Sequence, residues 1–267
     1  RWYDLHDGAG AVDLLTELGH GALDQGATDL LESIWSEGVE RSRVYRLLEP
    51  PYQAAGDWDK LVALYTSTLE QDDPELQIEC LSKLAELESV RLDKPEAAFT
   101  TLLALVERLP DDSADAPRRL GELEDLARRL SRWDELVDRL EALVGLGHGG
   151  APLMARLARI HERERGDPER AAHFYRFAFE HDSADLESRD ALAALLERSE
   201  RWDDLARHLD DAADRSDTRE RHELRLRAAE VLDQRLDAPL RALPVLERVT
   251  QEAPPEDTAF VAANERI

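Results

Sequence analysis

Cysteine is almost missing from these 267 residues: Cys80 stands alone, so no intrachain disulfide can form, and a lone thiol suits a reducing compartment such as the cytoplasm. No run of 18 apolar residues occurs, so no membrane insertion is expected. Aromatic residues make up only 6%, which leaves leucine and alanine to carry the packing. Lysine is rarer still. Of 34 basic residues, 31 are arginine and only Lys60, Lys83 and Lys94 are lysine. Basic residues as a class are outnumbered by 59 acids, for a formal charge of −25, and that balance repels nucleic acid and anionic membrane. A Gly-rich phosphate loop, a His-Glu-x-x-His helix and a Cys-x-x-Cys pair are all lacking, so nothing predicts an enzyme, a cofactor or a metal.

What is present is a period. Trp58, Trp133 and Trp202 sit in near-identical settings, each followed by an acid and then a leucine three residues on, at intervals of 75 and 69. A second recurring element falls between them at Pro95, Pro168 and Pro239, at intervals of 73 and 71. A repeat near 70 residues that splits into two halves is the mark of a helical solenoid, in which each unit buries its apolar face only against its neighbours. Within a half, Trp133, Leu136, Val137, Leu140, Leu143 and Val144 recur at helical spacing, and strand-like alternation is absent.

Punctuation supports the same division. Asp73-Pro74-Glu75 and Asp167-Pro168-Glu169 each offer an N-cap acceptor, a proline at the first helical position and an acid near the dipole. Asp217 to Glu220 has the form of a capping box. The glycines from Gly145 to Gly150 end the Trp133 helix, and Pro50-Pro51 is expected to kink or break the helix it falls in. Fifteen helices are expected, with those at 74–92, 151–165 and 218–236 each a single run. The expected organisation is a divergent N-terminal helical repeat or cap at 1–40 and an array at 41–267, built of super-repeats 41–112, 113–183 and 184–255 with a partial one at 256–267. Arg1 in place of methionine, and a helix interrupted at Ile267, read as a segment of a longer protein.

The proline-started halves resemble tetratricopeptide repeats, in the manner of long bacterial arrays of paired, alternating units. Ala98, Leu102, Leu105 and Pro110 have that family's second-helix spacing, as do Ala242, Leu246, Val249 and Pro254. Ala171, Tyr175 and Ala178 repeat it, with Ser183 in place of the closing proline. Tyr52 stands four residues before Gly56, where the family places its tyrosine. The family's first-helix Trp and Leu-Gly pair are missing from the proline-started halves. The resemblance implies an all-α, right-handed superhelical α-solenoid of helix hairpins. Burial of the tryptophans in its core would make Trp133→Ala cost roughly 3–5 kcal/mol.

Candidate chemistry is thin. Cys80, flanked by Leu76, Ile78 and Leu81, reads as a buried thiol. Asp111, Ser113, Asp115 and Glu122 imitate calcium-loop spacing, but Ala116 replaces the glycine such a loop needs. His161, His173 and His181 lie too far apart along the chain for a good zinc set, and His161 is expected to pack between helices. One pattern points to a partner. The resemblance implies that the first helix of each hairpin lines a concave face, which would place Arg118, Arg128, Arg129, Arg159, Arg163 and Arg198 there or at its rim. Such a groove would take a carboxylate or acidic peptide through bidentate contacts; the competing reading is salt bridging within the array. The function expected is a non-enzymatic scaffold for a protein or peptide partner. The alternatives are a self-associating module of a larger repeat protein and an α/α-barrel hydrolase.

Overall fold

A computed structural model describes residues 8–18, 25–254 and 257–266. Of the N-terminal segment, 1–7 and 19–24 lie outside the described residues, as do 255–256 and Ile267. Every regular element described is helical. The helices are α1 (Gly8–Leu18), α2 (Gln25–Ser36), α3 (Arg41–Ala55), α4 (Trp58–Thr68), α5 (Pro74–Glu86), α6 (Pro95–Val106), α7 (Ala116–Leu130), α8 (Trp133–Gly145), α9 (Gly150–Ile160), α10 (Pro168–His181), α11 (Leu186–Arg198), α12 (Trp202–Arg215), α13 (Thr218–Glu230), α14 (Pro239–Glu252) and α15 (Thr258–Asn264). The chain forms two compact units, Arg1–Leu136 and Val137–Ile267, divided within α8.

In the first unit α5 packs on α4 and α6, and α6 on α7; in the second each helix from α9 to α15 packs on the next. Short turns make consecutive helices antiparallel, so each unit is a pile of hairpins, an all-α solenoid arrangement. The spine follows from the sequence stripes. Leu61 and Tyr65 on α4, Leu136 and Leu140 on α8, and Leu205 and Leu209 on α12 are all buried. So are the small-and-large sets of the proline-started helices: Ala98, Leu102 and Leu105; Ala171, Tyr175 and Ala178; Ala242, Leu246 and Val249. Removing each large side chain from water is worth about 1.5–3 kcal/mol.

One turn grammar joins the two helices of every hairpin from α3 onward. A residue in the left-handed region comes first: Gly56, Asp93, Ser131, Gly166, Glu200 or Asp237, with φ between 48° and 71°. Where a proline starts the next helix, the residue before it is drawn out of helical geometry, as at Lys94, Asp167 and Ala238. Four of these six left-handed positions carry a side chain, at a steric cost that glycine avoids. Replacing exposed Glu200 (φ 54°) by glycine should therefore raise the melting temperature, for a gain of roughly 0.5–1 kcal/mol. An unchanged or lower midpoint in a thermal melt would contradict it.

The structure departs from the sequence reading in three places. The long first helices do not run straight to their ends: Leu87–Arg91, His161–Arg165 and Val231–Arg235 are π-helical turns. Their wide bonds, Lys94 N–H to Glu88 O at 2.8 Å and Ala238 N–H to Leu232 O at 2.9 Å, satisfy carbonyls that an α-helical end would leave open before the proline. Pro50 and Pro51 do not break α3, which continues to Ala55. The tryptophans are half-buried, not core. Each is the first residue of its helix, and Trp58 packs against the edge of the first unit's core cluster. A guanidinium covers the ring instead: Arg91 over Trp58 at 5.7 Å and Arg235 over Trp202 at 5.0 Å, both from the π-turn of the following hairpin, and Arg128 over Trp133 at 5.4 Å. The 3–5 kcal/mol expected for Trp133→Ala belongs to a fully buried ring and is too large here.

The helix starts hold. Asp73, Asp167 and Asp217 accept from the amides of Leu76, Arg170 and Glu220 at 3.0–3.1 Å. The capping box is only half made, because Glu220 turns away to Arg189 at 2.7 Å.

Candidate functional site

Five of the six candidate arginines lie on first helices of hairpins, and Arg163 on the π-turn that ends one. Arg118, Arg128 and Arg129 are exposed on α7 in the first unit; in the second, Arg159 is half-buried on α9, Arg163 exposed on the π-turn after it and Arg198 exposed at the end of α11. Four of them hold carboxylates of the same unit. Arg118 pairs with Asp115 at 3.1 Å and Glu122 at 2.7 Å, and Arg128 with Asp125 at 2.9 Å. Arg159 reaches Glu187 on α11 at 3.1 Å, and Arg198 reaches back to Glu162 beside Arg163.

These last two pairs bind the α9 segment to α11, so Arg159, Arg163 and Arg198 share one seam. Partial burial opposes ionisation of Glu162, but the bonds from Arg198 and the Tyr175 hydroxyl outweigh it and hold its carboxyl below the usual range. Ion pairing within the array is thus real at four of the six positions. The Arg118 and Arg128 pairs, exposed on both sides, are worth about 0–1 kcal/mol each.

Two of the three lysines stand in polar clusters of another kind. Lys83 Nζ lies 2.7 Å from both Glu49 and Glu79 and 3.0 Å from the Tyr45 hydroxyl, and Tyr65 donates to Glu49 at 2.8 Å. Glu79 is held below the ordinary carboxylate range chiefly by Lys83. Lys60 repeats the motif with Glu32 at 2.7 Å, beneath the Tyr52 hydroxyl at 2.9 Å. The rarity of lysine was the available signal, since two of only three lysines sit on tyrosine–carboxylate clusters. Beside Lys83 opens a pocket of about 380 Å³, lined by Trp58, Tyr65, Lys83, Val90 and Arg91 among others, with Val90 68% exposed.

The remaining candidates resolve into structure. Cys80 is fully buried, and burial pushes its thiol up to about 11, which leaves it protonated at neutral pH. Asp115 and Glu122 of the calcium-like spacing are taken up by Arg118 and buried Arg119. His161 is buried, stacked on Phe174 at 5.5 Å with its Nε2 on Glu141 at 2.9 Å. His173 and His181 flank Phe177 on the exposed side of α10. Among the described residues no group of three His, Cys, Asp or Glu is placed to hold a metal ion, and no helix is long and apolar enough to cross a membrane.

The Tetratricopeptide repeat family model matches residues 52–77, from buried Tyr52 through α4 to the first turn of α5. No curated protein matches the chain. Among solved structures, a tetratricopeptide repeat protein from Parabacteroides merdae ATCC 43184 aligns at 14% identity over 96% of this chain and 99% of its own, with a TM-score of 0.35. An assembly chaperone of RpL4 (Acl4, residues 1–338) aligns at 16% identity over 97% of this chain and 93% of its own, with a TM-score of 0.24. A computationally designed self-assembling cyclic homooligomer aligns at 16% over 97% and 90%, with a TM-score of 0.13. Repeats of the matched family generally mediate protein–protein interaction and are typically non-enzymatic. The chain is thus an all-α helical repeat protein, tetratricopeptide-like in its hairpins and matched to that family's model over residues 52–77.

Proposed function

We propose that the chain is a protein-interaction module that captures an acidic segment of a partner on the first helices of its hairpins. The observation that carries this reading is that five of the six candidate arginines stand on those helices and Arg163 on the π-turn that ends one, with all but Arg159 exposed. A pre-ordered helical surface binds without a large ordering cost, and a guanidinium takes a carboxylate through two parallel bonds. On this reading the pocket beside Trp58 receives an apolar side chain of the same partner, against Val90 and under Arg91.

The test uses a fluorescent glutamate-rich peptide titrated against the intact chain and followed by anisotropy. Arg128→Glu combined with Arg129→Glu should weaken binding about tenfold or more, because two attractive charges become repulsive, and added salt should weaken it further. Both positions are exposed, so the variant should fold normally by circular dichroism. Equal binding by the variant would remove the arginine surface from the account.

A further inference from the structure

Helices α10 and α12 are the second helices of successive hairpins in the second unit, and a recess of about 210 Å³ opens between them. Its floor is aromatic: buried Phe179 and buried His208 meet edge to face at 5.8 Å. His208 is fixed there by donating from Nε2 to the Arg189 carbonyl at 2.9 Å.

Charges of both signs stand around this floor. Asp204 is already engaged, by Arg201 at 2.6 Å and Arg207 at 3.2 Å. Four others are not. Arg176 and Glu180 on α10, and Asp211 and Arg215 on α12, have the i,i+4 spacing at which opposite charges pair on a helix. Elsewhere the chain makes such pairs, as Arg118 does with Glu122 and Lys83 with Glu79, both at 2.7 Å. Here none of the four side chains makes an ion pair among the described residues. Both guanidiniums turn to the groove. Arg215 reaches across from α12 to lie over the Phe179 ring at 5.3 Å, with Nη1 3.4 Å from the Phe179 carbonyl. Arg176, half-buried on α10, is felt on the opposite helix: burial chiefly disfavours the His208 imidazolium, and the Arg176 charge adds to it. Glu180 and Asp211 stay exposed at the rim. A lone anion would meet these two acids as well as the two arginines, and a lone cation the reverse, so neither satisfies the recess.

We propose that the groove between α10 and α12 binds a small zwitterion of the free amino-acid class. Its carboxylate takes Arg176 and Arg215, its ammonium takes Glu180 and Asp211, and an apolar side chain lies toward Phe179. The volume falls short of the roughly 300–1,000 Å³ of pockets for drug-sized ligands, so the occupant is small. The site lies on second helices, apart from the arginine surface on the first, and stands without that reading.

The test is calorimetric titration of the intact chain with free phenylalanine, with phenethylamine, which lacks the carboxylate, and with hydrocinnamate, which lacks the ammonium. Phenylalanine should bind about tenfold more tightly than either analogue, since each analogue leaves two charges of the recess unmet. Arg176→Gln and, separately, Glu180→Gln should each weaken phenylalanine binding about tenfold, with folding checked by circular dichroism. Glu180 is exposed, so its variant keeps the test valid if Arg176→Gln folds poorly. The absence of saturable heat from phenylalanine at about 10 mM overturns the proposal. So does either analogue binding as tightly as phenylalanine, and so does phenylalanine binding that Glu180→Gln leaves unchanged.

Discussion

Replacing Phe99 by alanine should lower the unfolding free energy by about 3–5 kcal/mol, among the largest losses any single side chain of this protein can produce. Phe99 is fully buried on α6, with the Arg132 guanidinium 4.2 Å from its ring centroid. The substitution removes apolar area, opens a cavity and strips the cation of its aromatic face. Because a solenoid unit is held by its neighbours, the damage should be local: amides of α5, α6 and α7, which pack in sequence, should lose hydrogen-exchange protection first. Phe99→Leu keeps most of the volume and should cost less than about 1.5 kcal/mol. A melting midpoint for Phe99→Ala within the error of the parent would show that this ring is not part of the core.

The second large effect is electrostatic. Arg225 on α13 is only 4% exposed and stands among three acids, with Asp214 and Glu252 at 2.8 Å and Asp210 at 3.9 Å. Removing one partner from a buried pair leaves the other uncompensated, which costs about 3–5 kcal/mol when both are dry. Here the acids keep contact with water, Asp210 retains Arg248 and Glu252 retains Arg221 at 3.8 Å. Arg225→Met should therefore cost less, about 2–3 kcal/mol.

The pH dependence follows with its sign. The Glu252 carboxyl is held below its usual range first by the bond from Arg225, so its contribution to stability is complete above the unfolded carboxylate pKa and is lost as pH falls through the lower folded value. The parent should lose stability on acidification below about pH 4.5, and Arg225→Met should lose less over the same interval. Parallel acid limbs for the two proteins in denaturant melts would separate Glu252 from Arg225.

Among the positions that mattered, some were legible in the chain alone. Asp73, Asp167 and Asp217 announced helix starts that the structure confirms, because an N-cap involves residues three apart. The stripe from Leu136 to Leu140 announced the buried face of α8, because helical spacing is itself the geometry. The tryptophans show the opposite case. Their period was plain, yet half-burial under Arg91, Arg128 and Arg235 was not, since a first-turn residue can face a packed layer or its edge without any change in spacing. Arg118, Arg128, Arg159 and Arg198 could be placed on first helices, but not paired with their acids.

By itself the sequence determined that this protein is built of helix hairpins, where most of the helices begin, and which leucines and alanines face inward. Those properties depend on contacts within about one turn and on a period that repeats them. Only the tertiary structure decided the π-turn endings, the guanidinium covers, the Lys83 cluster and the ion pairs between α12 and α14. Lys83 and Glu49, Asp203 and Arg241, and Trp58 and Arg91 stand about 30–40 residues apart, so their reach and rotamer are set by how one hairpin seats on the next.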